Sequence, residues 1–211
     1  MTLLSYDALL AAMDHDELDE RLIVTPLLDE EQVGPASIDL RLDTEFLLPA
    51  KHRGSGIDPG AAPVEADAYH ATISVPLGES LWIHPQQFIL GSTLEFIRLP
   101  SRLGAYVLGR SSWGRVGLLI ATAVMVQPGY AGSLTLELTN EGDAPIRLYP
   151  GLRVAQLAVH SLIEPTTRPY ARASAKYLAP TGPQASRAAW DQHEVETLMK
   201  VRAALSKTTT T

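Results

Sequence analysis

Hydrophobic and polar residues alternate in several short segments of this chain. From Ser133 to Thr139, every second residue is leucine, while serine, threonine and glutamate fill the positions between. The same alternation runs from Pro35 to Asp43. A period of two is typical of a half-buried β-strand. Further short apolar segments follow residue 72, each bounded by Pro or Gly, so the pattern favours an all-β barrel or sandwich over alternating strands and helices.

Helical spacing is confined to the two ends of the sequence. Residues 5–20 combine an N-cap at Ser5 with an apolar stripe, which predicts a short helix. Residues 187–206 regain helical spacing and predict a second helix. In the interior, residues 118–126 are predicted to form one strand, and residues 49–70 are predicted to form a long loop because they are rich in Pro, Gly and Ala without periodicity.

The composition excludes several classes of protein. Cysteine is absent, which excludes disulfides, thiolate zinc sites and the zinc nucleobase deaminases that need cysteines around the metal. The formal net charge of -7 argues against binding to a nucleic acid polymer. The sequence has no apolar run of bilayer length and no basic N-terminal signal region, so we expect a cytoplasmic protein with no membrane partner.

One basic loop stands out on this acidic chain. Residues 109–115 read Gly-Arg-Ser-Ser-Trp-Gly-Arg. The guanidinium groups of Arg110 and Arg115 match phosphate oxygens, while the hydroxyls of Ser111 and Ser112 can donate further hydrogen bonds. The loop matches neither a P-loop nor a Gly-x-Ser-x-Gly nucleophile elbow. It therefore predicts an anion site, and the alternative is a surface turn with solvated arginines.

Glu137 lies on the polar face of the alternating segment from Ser133 to Thr139. It is either a solvent-facing carboxylate or a general base whose pKa is raised in a partly desolvated pocket. The six histidines are scattered without metal-ligand spacing. We therefore expect no metal bound directly by the protein.

Several motifs together resemble one known family, the dCTP deaminases of the dUTPase-like superfamily. The resemblance rests on Gly-Arg-Ser-Ser-x-x-Arg-x-Gly-Leu at 109–118, Thr122-Ala123, Pro128-Gly-Tyr130 and Leu134-Thr-Leu-Glu-Leu138. Flanking segments extend it over residues 1–187, which leaves 188–211 as a C-terminal helical extension and tail. It implies a mainly all-β fold, the dUTPase-like distorted β-barrel or β-clip, with short N-terminal and C-terminal helices. It also implies a homotrimer whose active sites are shared between neighbouring subunits.

The resemblance implies hydrolytic deamination of dCTP to dUTP and ammonia without zinc, with Mg2+ bound to the triphosphate of the substrate rather than held by the protein. Glu137 would be the general base, and Ser111 with the backbone carbonyl of Ala123 would hold the attacking water. The implied nucleotide contacts are Arg110, Ser111, Ser112, Arg115, Gln127, Tyr130, Thr135, Leu136, Gln156, Tyr170 and Lys176.

The sequence departs from the family pattern near these positions. The segment 119–129 is one residue shorter, and Pro180 replaces a tail glutamine. Gln127 replaces an aspartate that helps to activate water in diphosphate-hydrolysing members. Glutamine can hydrogen-bond a hydroxyl but cannot act as a carboxylate base, so the sequence favours deamination over a dUTPase-type pyrophosphatase that forms dUMP. These departures are also compatible with a non-catalytic nucleotide-binding or regulatory homologue, and with a deaminase for an unusual nucleotide.

Overall fold

The computed structural model describes residues 2–50, 70–121, 125–170, 179–186 and 192–208. The chain divides into two compact units. The first comprises residues 1–48 and 72–184, and the second comprises residues 49–71 and 185–211, which include the C-terminal helix.

The described residues form short strands with few helices. The strands are β1 (Thr2–Leu3), β2 (Ile23–Thr25), β3 (Ile38–Arg41), β4 (Glu45–Pro49), β5 (His70–Ser74), β6 (Leu81–Ile83), β7 (Phe88–Ser92), β8 (Phe96–Arg98), β9 (Leu103–Gly109), β10 (Leu118–Ile120), β11 (Met125–Val126), β12 (Ala131–Gly132), β13 (Thr135–Asn140), β14 (Ile146–Leu148) and β15 (Arg153–Ser161). The α-helices are α1 (Tyr6–Met13), α2 (Ser111–Gly114) and α3 (Gln192–Thr208), and 3-10 turns occupy Leu18–Glu20 and Glu30–Gln32.

The strands assemble into antiparallel sheets. In one sheet the order is β1-β15-β9-β11, with β3 also paired to β15, and in another it is β10-β13-β7-β4-β5. Two smaller sheets have the orders β12-β8-β2 and β14-β6. The prediction of a mainly β fold with helices at both ends is confirmed. Within the described part of the chain, the strands form separate sheets rather than one closed barrel.

The alternation along β13 is confirmed by its burial. Leu136 and Leu138 are fully buried, whereas Thr135, Glu137 and Thr139 are half-buried. The leucines belong to a continuous apolar core that draws on most strands of the first unit. Burial of this apolar surface holds β13 rigidly, so its polar face can position side chains.

A polar cluster is buried among these strands. Glu95 is fully buried and accepts hydrogen bonds from the Gln32 side chain at 2.6 Å and from the backbone N–H of Arg41 at 2.9 Å. Burial raises the pKa of Glu95 above its ordinary value of 4.5. The cluster ties β3 to the turn at Glu30–Gln32, which lies beside the candidate site described below.

Several predicted boundaries are wrong. The helix predicted at 5–20 ends at Met13, and Leu18–Glu20 form a separate 3-10 turn. The carbonyl of His15 accepts from the side chain of Arg21, which holds the chain in this turn. The strand predicted at 118–126 is divided between β10 and β11, which belong to different sheets. Residues 49 and 70 lie in strands rather than in the predicted loop.

The interior of that loop, residues 51–69, lies outside the described residues, as do 122–124 and 187–191. Of the helices that the structure describes, none has the length and apolar character needed to cross a bilayer.

Candidate active site

The arginine–serine loop begins where β9 leaves its sheet. The backbone N–H of Arg110 donates to the carbonyl of Val154 at 3.1 Å, and the chain then turns through α2. Gly117 returns the chain to β10 with a φ of +94°, and a Cβ at this position would lie 2.5 Å from the backbone N of Gly142. Only glycine fits such a turn. The loop therefore bridges two sheets and is fixed at both ends.

The structure places all four predicted phosphate contacts of this loop next to one another. Ser111, Ser112 and Arg115 are exposed, and the side chain of Arg110 is 32% exposed. Their hydroxyl and guanidinium donors are available to an anion from solvent. Exposed donors of this kind can bind an anion, and the anion site stays a prediction of the sequence.

A cavity of about 460 Å³ adjoins the loop. Its lining includes three arginines together with hydroxyl and aromatic groups, namely Arg41, Arg110, Ser112, Trp113, Val116, Leu152 and Arg153. Such a lining suits a polyanion, because guanidinium groups bind phosphate oxygens bidentately. Among the described residues there is no group of His, Asp or Glu arranged to hold a metal ion.

Strand β15 holds the arginine–serine loop in place through a backbone carbonyl. The backbone carbonyl of Arg153 accepts from Trp113 Nε1 at 3.0 Å and from Arg110 Nη1 at 3.3 Å. Trp113 is thus a positioning group for the loop, and its indole covers one side of the cavity.

Asp39 also holds the arginine–serine loop in place. The hydrophobic pattern of the sequence did not predict this role. It is only 8% exposed. Its Oδ2 lies 3.4 Å from Arg110 Nη2 and 3.6 Å from Arg153 Nη1, while Oδ1 accepts from Gln156 Nε2 at 3.1 Å. Gln156, a predicted nucleotide contact, is the direct neighbour of Asp39 in the β3–β15 register. Alternation places Asp39 on a polar strand face, and nothing in that pattern indicates these distant partners.

Glu137 occupies the polar face of β13 between β7 and β10. It pairs with Leu90, and its backbone carbonyl accepts from the N–H of Ala121 at 2.8 Å. Burial raises the pKa of the Glu137 carboxyl above its ordinary value of 4.5. A carboxyl group whose pKa is raised in this way is a better proton acceptor than an ordinary glutamate, as a general base requires.

Two predicted site residues lie outside the described part of the chain, and two others, Leu136 and Tyr130, belong to the buried core. Ala123 and Lys176 lie outside the described residues. The side chain of Leu136 is fully buried in the apolar core, so it is not available to a ligand. Glu137 is not among the described residues that line the cavity beside Arg110.

A second cluster of predicted contacts forms around the Pro128-Gly129 turn. The N–H of Tyr170 donates to the carbonyl of Pro128 at 2.7 Å, and the rings of Tyr130 and Tyr170 lie 6.0 Å apart. The hydroxyl of Tyr130 donates to the carbonyl of Ser133 at 2.7 Å, and burial raises the pKa of Tyr130 well above its ordinary value. Gln127 is exposed at the start of this turn.

The segment 179–186 packs beside β13. The carbonyl of Pro180 accepts from the backbone N–H of Ser133 at 2.8 Å and from its hydroxyl at 3.0 Å. The hydroxyl of Thr135 accepts from the N–H of Gln184 at 3.0 Å. Pro180 therefore attaches this segment through its carbonyl, although it lacks the side-chain amide expected at this position.

Comparison with known proteins identifies the family of this chain. A model of the dCTP deaminase-like family matches residues 4–162. The dCTP deaminase of Natronomonas pharaonis is 46% identical over 179 residues, which cover 83% of this chain and 91% of the relative. The dUMP-forming dCTP deaminase of Methanobrevibacter smithii is 40% identical over 174 residues, which cover 81% and 89% of the two chains. The protein belongs to the dCTP deaminase-like family, as the motifs predicted.

A solved structure supports the fold. The 2'-deoxycytidine 5'-triphosphate deaminase of Agrobacterium tumefaciens superimposes with a TM-score of 0.57 at 23% identity. The match covers 75% of this chain and 46% of that one. The likeness confirms the fold class.

Proposed function

We propose that this protein deaminates dCTP to dUTP and ammonia. The observation that carries the proposal is the half-buried carboxyl of Glu137, whose pKa is raised by burial, on a rigid strand of a dCTP deaminase-like domain. A general base works better as its pKa approaches the working pH, and burial moves the pKa of Glu137 in that direction.

The proposed reaction is a balanced hydrolysis at C4 of cytosine. Glu137 removes a proton from water, the water oxygen bonds to C4, and the proton passes to N3. Glu137 then transfers the proton of the new C4 hydroxyl to the exocyclic amine, the C4–N bond breaks, and ammonia leaves a uracil ring with a C4 carbonyl. Ser111 and the carbonyl of Ala123 would orient the water, as the family resemblance implies.

The triphosphate is proposed to bind at the arginine–serine loop. Arg110 and Arg115 supply charge-assisted donors, while Ser111 and Ser112 supply hydroxyl donors. Mg2+ would travel with the phosphates as part of the substrate, since it favours phosphate oxygens over dedicated protein cages. The remaining proposed contacts are Gln127, Tyr130 and Tyr170 near the sugar, Thr135 and the backbone of Leu136 near the base, and Gln156 and Lys176 toward the nucleotide tail or ring.

We also propose a homotrimer with shared active sites. Within one subunit, Glu137 is not among the described residues that line the cavity beside Arg110. A neighbouring copy that brings its β13 to this cavity would join the base to the phosphate loop.

Formation of dUMP is the second candidate, because several relatives are named for it, including that of Methanosphaera stadtmanae at 38% identity. The exposed Gln127 counts against it, since an amide cannot activate water as a carboxylate does. The test is incubation with dCTP and Mg2+ followed by chromatography of the nucleotides. We expect dUTP. Formation of dUMP with pyrophosphate would favour the second candidate, and tight dCTP binding without product would favour a regulatory homologue.

A further inference from the structure

We propose that Asp39 is a positioning residue that fixes the guanidinium group of Arg110 for the triphosphate. This inference rests on the proposed function, in which Arg110 binds phosphate. The inference adds a further residue to that function. A carboxylate beside a loop that binds an anion is unfavourable on charge alone, so Asp39 needs another role.

The contacts of Arg110 define a fixed orientation. Nη2 lies 3.4 Å from Asp39 Oδ2, and Nη1 donates to the carbonyl of Arg153 at 3.3 Å. A guanidinium group has five N–H donors in a planar fork. The hydrogen bond to Arg153 and the ion pair with Asp39 restrain the guanidinium group at both terminal nitrogens, while further N–H donors remain for a phosphate.

Asp39 itself is held independently of Arg110. Its Oδ1 accepts from Gln156 Nε2 at 3.1 Å, and its Oδ2 lies 3.6 Å from Arg153 Nη1. It lies on β3, which pairs with β15, and it is only 8% exposed. Because the carboxylate has these further partners, it stays in place when a phosphate approaches Arg110.

The physical gain is preorganisation. A long arginine side chain that is already fixed loses less rotamer freedom on binding than one that is mobile. The opposing effect is charge, because Asp39 reduces the positive potential that the triphosphate meets. Removal of the carboxylate therefore distinguishes the two effects by sign: weaker binding if positioning dominates, and tighter binding if charge dominates.

The central experiment measures dCTP binding by calorimetry in the Glu137→Gln background, in which turnover is strongly slowed. We expect Asp39→Asn, which keeps the side-chain shape, to raise the Kd about tenfold. In the same background, Arg110→Gln is expected to weaken binding at least as much. Asp39→Asn added to Arg110→Gln is expected to weaken binding much less than Asp39→Asn alone, because Asp39 acts chiefly through Arg110 and only its contacts with Gln156 and Arg153 remain to be lost. With Glu137 intact, Asp39→Asn is expected to raise KM and to change kcat little.

Asp29 provides the matched control. It is a carboxylate of the same ionic network that contacts Arg41 and Arg153, and its side chain is 40% exposed. We expect Asp29→Asn to change the Kd for dCTP by less than about twofold. Thermal unfolding of both variants monitors folding, and Asp39→Ser replaces Asp39→Asn in the same cycle if the latter does not fold.

Three outcomes would overturn the inference: tighter dCTP binding by Asp39→Asn, additive losses in the Arg110→Gln background, or equal losses for Asp29→Asn and Asp39→Asn. Failure of the protein with Asp39 and Arg110 intact to bind dCTP would overturn the proposed function, and the inference with it. That failure is distinguishable because it appears before any change at Asp39.

Discussion

The environment of Glu137 makes the proposed chemistry depend on pH in a definite direction. Burial raises its pKa above 4.5, and a general base works only when deprotonated. We therefore expect kcat/KM for dCTP to fall as the pH is lowered through a value above 4.5. A pH–rate profile measures this acidic limb. A limb at or below the ordinary glutamate value would contradict the assignment of Glu137 as the base.

Glu95 is a second carboxylate whose pKa is raised by burial, and its role is structural. Both of its oxygens accept hydrogen bonds, from Gln32 Nε2 and from the N–H of Arg41. Glu95→Gln replaces one acceptor with an NH2 group that faces a donor, so we expect the free energy of unfolding to fall by about 1–3 kcal/mol. Urea unfolding at neutral pH measures the change. The control is Glu79→Gln at an exposed position, and equal stability of the two variants would refute the role of Glu95.

At the scale of elements, the approach of segment 179–186 to β12 and β13 depends on one glycine. Gly132 has a φ of +147°, and a Cβ there would lie 2.4 Å from Pro180 Cδ. Gly132→Ala should displace this segment and its contact with Thr135, so we expect KM for dCTP to rise about tenfold.

The control for this displacement is Gly104→Ala, where an added Cβ meets its nearest atoms at 3.7 Å. Steady-state kinetics of the two variants gives the comparison. If both variants retain the KM of the original protein, the segment has no part in nucleotide binding.

The sequence predicted individual strands better than their partners. Alternation identified β13 correctly because one face of that strand packs on the core and the other does not. It could not show that 118–126 divides between two sheets, because hydrophobic period carries no information about pairing. The early end of α1 was missed because polar residues are compatible with an exposed helix as well as with a turn.

At the scale of the whole molecule, the motifs of the loop and of β13 were sufficient to predict the family, which is confirmed. The residues that hold the loop in place could not be predicted from such motifs. Asp39 meets Gln156 across 117 positions of sequence, and such a contact is created only by folding. The arginine–serine loop is local in sequence, whereas the residues that hold it in place are not.

Shared active sites would allow two inactive variants to restore each other. If Glu137 and Arg115 of one site come from neighbouring subunits, a mixed trimer of Glu137→Gln and Arg115→Ala contains sites with both residues intact. Equal, random mixing is expected to restore about a quarter of the original activity. The mixture is assayed after subunit exchange, alongside light scattering for a particle of three 22.8 kDa chains. Activity no greater than that of the separate variants would place each site within one subunit.

Deamination of dCTP by Glu137 is tested by ammonia release, measured for the original protein and for Glu137→Gln. We predict one ammonia for each dUTP formed by the original protein, and a kcat lower by about 10²–10⁴-fold in Glu137→Gln with dCTP affinity retained. Absence of ammonia from the original protein would contradict deamination of dCTP, and full turnover by Glu137→Gln would contradict Glu137 as the general base.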